Sequence, residues 1–148
     1  MEFLIVFLGL LLDRLAKIWA LNSLKDNNGV IVIKDFFKLE YLENRGAAFG
    51  ILQNKLIILA IVTLLVISGM VYYIIKYKPK SKFLRISFAL IISGALGNLY
   101  DRLIYKYVVD FILVHYKEIY YFPTFNIADS LVVIGTVILA ISIVKEEV

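Results

Sequence analysis

The sequence predicts an all-α membrane protein: a four-helix transmembrane bundle with a small extracytoplasmic β hairpin or sheet, an interfacial loop, and both termini in the cytoplasm. Three observations predict this fold. Of the 148 residues, 61% are hydrophobic, compared with about 45–50% in soluble domains, and the mean hydropathy is +0.86. Four stretches reach the length of about 20 mostly apolar residues that crosses a bilayer. One short, strongly basic loop separates the second stretch from the third.

The four predicted spans cover residues 2–21, 56–77, 83–105 and 127–144. We expect the first span to be retained, because Glu2 replaces the basic start of a secretory signal peptide and no A-x-A-like cleavage site follows the apolar run. The basic loop KYKPKSKFLR contains no acid, and such short loops stay in the cytoplasm. The loops at 22–55 and 106–126 therefore face outward. We expect a single integral membrane domain over residues 1–148.

The two outer loops differ in composition. Residues 30–43, VIVIKDFFKLEYLE, are rich in β-branched and aromatic residues and have a turn signal at Lys34-Asp35, which predicts a hairpin or small sheet. The following NRGAAFG, residues 44–50, predicts a turn of small residues that lets the backbone approach another group closely. The second outer loop, 106–126, is crowded with Tyr and Phe. Because these residues favour the headgroup level, we predict an interfacial loop there.

Composition also limits the chemistry. The chain has no cysteine, which excludes disulfides, thiol catalysis and thiolate metal sites. His115 is the only histidine, so there is no HExxH zinc motif, and we expect neither a metal nor another cofactor. The net charge of +4 comes with a cluster of cations in the basic loop, which indicates topology rather than nucleic-acid binding. Catalysis is left to carboxylates, amides, Lys, Arg and water.

Polar side chains of three spans are predicted to share one membrane depth. Spans 1 and 3 run outward and span 4 runs inward, so these residues meet at the outer interface: Asp13, Arg14 and Lys17 of span 1, Asn98, Asp101 and Arg102 of span 3, and Asn126 and Asp129 of span 4. The outer loops add Asn44, Arg45 and Asp110. A charge at the bilayer centre costs about 2.5–3.5 kcal/mol on insertion scales, so polar groups within spans indicate a functional site.

Asp110 and Asp129 are the candidate catalytic pair. Asp110 lies in the apolar run VVDFI, where the surroundings disfavour a charged carboxylate. Asp129 follows Asn126 by three residues, so both side chains can face one site on a helix. Two carboxylates that share one proton activate water in aspartic proteases: one is the base for the water, and the other protonates the carbonyl oxygen.

Structural roles and other functions compete with this interpretation. Asp129 can serve as a helix cap, Asp13 and Lys17 can form an i,i+4 ion pair, and Asp101 with Arg102 can anchor a span at the interface. We expect the Lys17→Ala substitution to reduce activity less than the Arg102→Ala substitution does.

One alternative function is a small ion- or proton-translocating membrane subunit, whose acids would be distributed through the bilayer depth. Another is a non-catalytic assembly factor, which would tolerate loss of either acid.

Five motifs in chain order carry a family resemblance: Asp13…Lys17, NRGAAFG, SGALGNLYDR, VVDF and FNIADS. Together, over four spans, they resemble the bacterial lipoprotein signal peptidases (signal peptidase II) along nearly the whole chain. The resemblance implies an intramembrane aspartyl endopeptidase of the bacterial cytoplasmic membrane, with its active site at the outer face. Such an enzyme removes the signal peptide from diacylglyceryl-modified prolipoproteins just before the lipidated cysteine.

The resemblance also implies residue roles. Asp110 and Asp129 match the catalytic dyad, and the NRGAAF turn would supply apolar contacts. The supporting or substrate-binding positions are Asp13, Lys17, Asn44, Gly46, Asn98, Asp101, Arg102 and Asn126. The implied partners are a prolipoprotein signal peptide with its diacylglyceryl cysteine and membrane lipid, with no nucleic acid. We expect the chain to act as a monomer.

Overall fold

The computed structural model describes residues 1–47 and 51–145. The helices are α1 (Glu2–Ser23), α2 (Leu56–Tyr77), α3 (Lys82–Ile104) and α4 (Ile127–Val144), and the strands are β1 (Val30–Ile33), β2 (Phe37–Asn44), β3 (Val108–Tyr116) and β4 (Tyr120–Tyr121). Each predicted span is confirmed as a helix to within two residues at either end. Among the described residues, α2, α3 and α4 are long and apolar enough to cross a membrane. The first helix, which carries Asp13, Arg14 and Lys17, is not in that group.

The helix ends follow local sequence signals. The left-handed conformation of Lys78, with φ of 44°, ends α2, and Pro79 follows directly. The side chain of Ser81 then caps α3 by accepting a hydrogen bond from the Leu84 amide. The basic loop thus makes a short connection between α2 and α3, in which Pro79 follows the end of one helix and Ser81 caps the start of the next.

Helix α3 lies at the centre of the bundle and packs against the other three helices. Two glycines on it permit close approach. A Cβ atom at Gly97 would lie 2.6 Å from Asp13 Oδ2 and 3.3 Å from Ala128 Cβ, and one at Gly94 would overlap the Ala128 carbonyl oxygen. Small residues at these two positions therefore bring the polar parts of α1, α3 and α4 into contact.

A four-stranded antiparallel sheet in the order β1-β2-β3-β4 covers one end of the bundle. The predicted hairpin is confirmed, and its turn includes Asp35 with φ of 61°. The prediction of a loop over 106–126 is wrong for residues 108–116 and 120–121, which are strands. The reason is that the β-branched VVDFILV run pairs with β2, whereas the aromatic content on which we based the prediction does not distinguish a strand from a loop.

Strand β3 is fixed against α1 by apolar packing. Val109 and Phe111 belong to a buried cluster with Ala20 and Leu24 of the α1 end. Successive side chains of a strand point to opposite faces, so Asp110, between these two residues, points away from α1. This alternation directs the Asp110 carboxylate toward α3 and α4.

Candidate active site

Asp110 and Asp129 line the same cavity, although they come from different elements. Asp110 lies in β3 and Asp129 in the first turn of α4, and the cavity has a volume of about 1100 Å³. Asp110 is 1% exposed, whereas Asp129 is partly exposed. Much of the cavity wall is apolar and includes Val62 and Val66 of α2, Ile91 and Ala95 of α3, and Val132 and Val133 of α4. The two acids therefore stand beside a groove with predominantly apolar sides.

Asn126 connects the two carboxyl groups. Its side-chain Nδ2 donates to Asp110 Oδ1 over 2.7 Å, and its backbone N–H donates to Asp129 Oδ2 over 3.1 Å. The Asp129 backbone N–H donates in return to Asn126 Oδ1 over 2.9 Å. This reciprocal pair is the capping box of α4. The predicted cap is confirmed, and the same residues hold Asp110 beside Asp129.

A second amide, Asn98 of α3, extends this network. Its Nδ2 donates to Asp129 Oδ1 over 2.7 Å. Its Oδ1 accepts from Asn126 Nδ2 over 3.1 Å and from Lys17 Nζ over 2.9 Å. Each oxygen of Asp129 therefore has one donor, and the amides of Asn98 and Asn126 run as a chain from Lys17 toward both acids.

The loop after β2 is connected to the site through Asn44, the last residue of that strand. Its Nδ2 donates to Asp110 Oδ2 over 2.9 Å, and its Oδ1 accepts from the Gly46 backbone N–H over 2.9 Å. Arg102 donates from Nη2 to the Gly46 carbonyl over 3.3 Å, so α3 and the loop are joined beside the cavity. Residues 48–50 of the predicted NRGAAFG turn lie outside the described residues.

Behind the cavity, four charged side chains form a buried cluster. Lys17 is 0% exposed, and its Nζ lies 3.0 Å from Asp13 Oδ2 and 3.0 Å from Asp101 Oδ2. Arg14 Nη1 contacts the other oxygen of Asp101 over 2.6 Å. The predicted i,i+4 ion pair is present, but Lys17 also links α1 to α3.

The acids of this cluster also fix two backbone segments that carry the site. Asp13 Oδ1 accepts from the Ala128 backbone N–H over 3.0 Å, next to Asp129. Asp101 Oδ2 accepts from the Val109 backbone N–H over 3.2 Å, next to Asp110. Each candidate catalytic residue therefore has a neighbouring amide fixed by a buried carboxylate.

The surroundings raise the pKa of Asp110 to about 7. Burial is the largest cause, since it penalises the charged form, and the nearby Asp129 carboxylate is the second. Hydrogen bonds from Asn44 and Asn126 and the charge of Lys17 act in the opposite direction. Below about pH 7, Asp110 therefore holds a proton next to a second, more exposed carboxyl group.

All ten predicted site residues lie in this connected region: Asp13, Lys17, Asn44, Gly46, Asn98, Asp101, Arg102, Asp110, Asn126 and Asp129. The sequence analysis did not identify Thr63, which also lines the cavity. A hydroxyl in the middle of an otherwise apolar span was the available signal. Within residues 1–47 and 51–145, no three His, Cys, Asp or Glu side chains converge so as to hold a metal ion.

Comparison with known proteins identifies the family. The family described as signal peptidase (SPase) II matches residues 5–145. The chain belongs to the signal peptidase II family. This membership makes it a peptidase, and it agrees with the resemblance found in the motifs.

Relatives and solved structures match nearly the whole length of this chain. It is 60% identical over 146 residues to the lipoprotein signal peptidase of Clostridium novyi, which covers 99% of each chain. It is 58% identical over 147 residues to that of Clostridium acetobutylicum, covering 99% of this chain and 96% of the relative. A solved bacterial membrane enzyme superposes with a TM-score of 0.89 at 34% identity, covering 98% of this chain and 88% of the other. A second has a TM-score of 0.85 at 34% identity, covering 97% and 92%.

Proposed function

We propose that the protein is an intramembrane aspartyl endopeptidase that removes the signal peptide from diacylglyceryl-modified prolipoproteins just before the lipidated cysteine. One observation carries the aspartyl mechanism: Asp110 and Asp129, from distant parts of the chain, are both held by Asn126 at one cavity. The family supports a peptidase. The names of the relatives support lipoprotein precursors as the substrate class.

Burial assigns different roles to the two acids in the proposed reaction. Asp110, which is buried and has a raised pKa, supplies the proton. Asp129, which is more exposed, receives a hydrogen bond on each oxygen and acts as the ionised base. The environments thus separate acid from base, as they do in other enzymes that use two carboxyl groups.

The proposed reaction has two balanced steps. In the first, Asp129 takes a proton from water, the water oxygen bonds to the scissile carbonyl carbon, and Asp110 donates its proton to the carbonyl oxygen. In the second, the C–N bond breaks as Asp129 protonates the leaving nitrogen and Asp110 regains its proton from the gem-diol hydroxyl. Both acids return to their starting states, so no cofactor is consumed.

The cavity suits a substrate that is partly helix and partly lipid. Its apolar walls on α2, α3 and α4 match an apolar signal peptide and acyl chains. Its polar residues, which include Asn44, Asn98 and Arg102, lie with the two aspartates. The scissile bond would therefore lie against the acids while the apolar parts of the substrate remain in the groove.

The proposed topology places this site at the outer face of the bacterial cytoplasmic membrane. The basic loop between α2 and α3 supports a cytoplasmic position for that loop and for both termini. We include α1 as a fourth span, because Asp13 and Lys17 are buried and paired inside the protein rather than exposed to lipid. In this proposal residues 1–148 are a single domain that acts as a monomer.

Asp110→Asn and Asp129→Asn test the proposed function. Each should abolish cleavage of a diacylglyceryl precursor peptide in detergent while leaving the thermal unfolding midpoint close to that of the wild type. The matched control is Asp35→Asn, since Asp35 is exposed in a turn whose left-handed backbone also suits Asn. If either dyad variant cleaves at the wild-type rate, the assignment is wrong. If the wild-type protein fails to cleave but conducts ions in liposomes, and the dyad variants lose this conduction, the protein belongs to the ion-translocating class instead.

A further inference from the structure

We propose that Lys17 is a positioning residue: its buried ammonium fixes the orientation of the Asn98 amide and, through it, holds Asp129 in the geometry that activates water. This inference rests on the proposed function, in which Lys17 has no step of its own. Lys17 does not line the cavity, so it does not touch the substrate and acts only through its neighbours.

The buried Lys17 ammonium has one hydrogen-bond acceptor and two ion-pair partners within 3.0 Å. An ammonium group has three N–H donors and no acceptor. Its three partners are Asn98 Oδ1 at 2.9 Å, Asp13 Oδ2 at 3.0 Å and Asp101 Oδ2 at 3.0 Å. Because an ammonium accepts no hydrogen bond, the Asn98 amide must present its oxygen, and not its nitrogen, to Lys17.

This constraint determines what Asp129 receives. With Oδ1 turned toward Lys17, the Nδ2 group of Asn98 is left to donate to Asp129. A rotated Asn98 amide would place N–H groups against the ammonium and its oxygen against the Asp129 carboxylate, which is unfavourable on both sides. The same Asn98 oxygen accepts from Asn126, so the direction of the second amide is also set from Lys17. The buried lysine therefore orients a donor toward each acid.

Charged groups from every surrounding element face this centre, and among the described residues Lys17 is the only cation of the set that donates a hydrogen bond to Asn98. They are Asp13 and Arg14 of α1, Asp101 and Arg102 of α3, Asp110 of β3 and Asp129 of α4. The positive charge of Lys17 also lowers the pKa of Asp110, against the effect of burial. Loss of that charge should therefore let Asp110 keep its proton to higher pH.

A purely structural role is the competing explanation, in which Lys17 only neutralises Asp13 and Asp101 to hold α1 against α3. Lys17→Met alone does not separate the two explanations, because it leaves unpaired buried charge and risks unfolding. The double variant Lys17→Met with Asp13→Asn removes one cation and one anion together. Asp101 keeps Arg14 as its partner, and an amide oxygen at position 13 can still accept from the Ala128 N–H.

The double variant should fold with a thermal midpoint near that of the wild type but lose kcat by about 100-fold, the scale of a small misplacement at a reacting centre. Its KM for a diacylglyceryl precursor peptide should be unchanged, and the alkaline limb of its pH profile should move to higher pH. Lys76→Met, at an exposed lysine near the end of α2, is the control and should match the wild type. A folded double variant with wild-type kcat and pH profile would overturn the proposal.

If the double variant does not fold, the Asn98→Asp variant tests the positioning role instead. This substitution keeps an oxygen facing Lys17 and replaces the donor to Asp129 by a second carboxylate oxygen. Lys17 remains to offset the added charge, so the fold should persist, and kcat should fall to a similar extent. Wild-type kcat in Asn98→Asp would overturn the positioning role. Failure of the proposed function is distinct, because it would appear as wild-type protein that does not cleave or as dyad variants that do.

Discussion

Asn126 Nδ2 donates a 2.7 Å hydrogen bond to Asp110 Oδ1 while the rest of the same residue caps α4. The start of the last helix and the position of the buried acid therefore depend on one side chain. Asn126 is 0% exposed, so water cannot easily replace these bonds. The same side chain therefore caps the helix and positions a carboxyl group of the candidate site.

Substitutions at Asn126 should separate these two roles. Asn126→Ala should lose both, with a cost to stability of about 0.5–2 kcal/mol for the cap and near-complete loss of cleavage. Asn126→Ser should recover most of the stability, because Ser is a good N-cap, but not the cleavage, because its short side chain cannot reach Asp110. Thermal midpoints and kcat measured together check this expectation. A Ser variant with wild-type kcat would show that the contact with Asp110 is dispensable.

Activity should fall as the pH rises through about 7. The proposed mechanism needs the proton on Asp110, whose pKa is raised to about 7 by burial and by Asp129, so its loss removes the acid. The measurement is a kcat profile between pH 5 and 9, roughly two units either side of the midpoint. A rate that increases steadily across this range would contradict the assignment of the proton to Asp110.

The stability of the fold should depend on the same proton. The pKa of Asp110 is about 7 in the folded protein and has an ordinary value of 3.8, so the folded state binds the proton more tightly. Its contribution to stability is full below pH 3.8 and is lost as the pH rises to about 7. Asp110→Asn should remove this dependence, which thermal midpoints across the range would reveal. Equal slopes for wild type and variant would contradict it.

Gly97→Ala should force apart the helices that carry the site residues. A Cβ atom there would lie 2.6 Å from Asp13 Oδ2, so α1 or α4 must move away from α3, at a cost of about 1–3 kcal/mol. Cleavage should fall together with the thermal midpoint. Gly69→Ala is the matched control, because no atom lies within 4 Å of the added carbon, and alanine favours the helix. Equal behaviour of the two variants would contradict the close-packing argument.

Reporter fusions should test the proposed topology. A reporter near Tyr120, in β4, should score external, and one at Lys80, in the basic loop, should score cytoplasmic. A cytoplasmic score at Tyr120 would place the aspartates on the wrong face of the membrane for an outer-leaflet lipid substrate.

Local signals explain why the helices could be predicted. The spans follow from apolar length, and the start of α4 follows from Asn126 and Asp129, which lie within one turn. Strand β3 was missed because its pairing partner, β2, lies more than 60 residues earlier, as in the Asn44↔Val108 pair. Local composition does not reveal such pairing.

The contacts of Lys17 with α3 could not be predicted for a similar reason. From sequence it has one visible partner, Asp13, at i,i+4, and such pairs contribute little on an exposed helix. Its other partners, Asn98 and Asp101, lie on α3, at a separation of 81 residues for Asn98. Only tertiary packing shows that all three groups contact one buried nitrogen.

The residues that cap α4, Asn126 and Asp129, lie at the start of the last helix of the chain, and in the proposed mechanism this order has a consequence during synthesis. A nascent chain that has inserted only its first three helices lacks Asp129 and the Asn126 link to Asp110, so in the proposed mechanism it cannot hydrolyse a peptide bond. Proteolytic competence thus arrives only with the last helix.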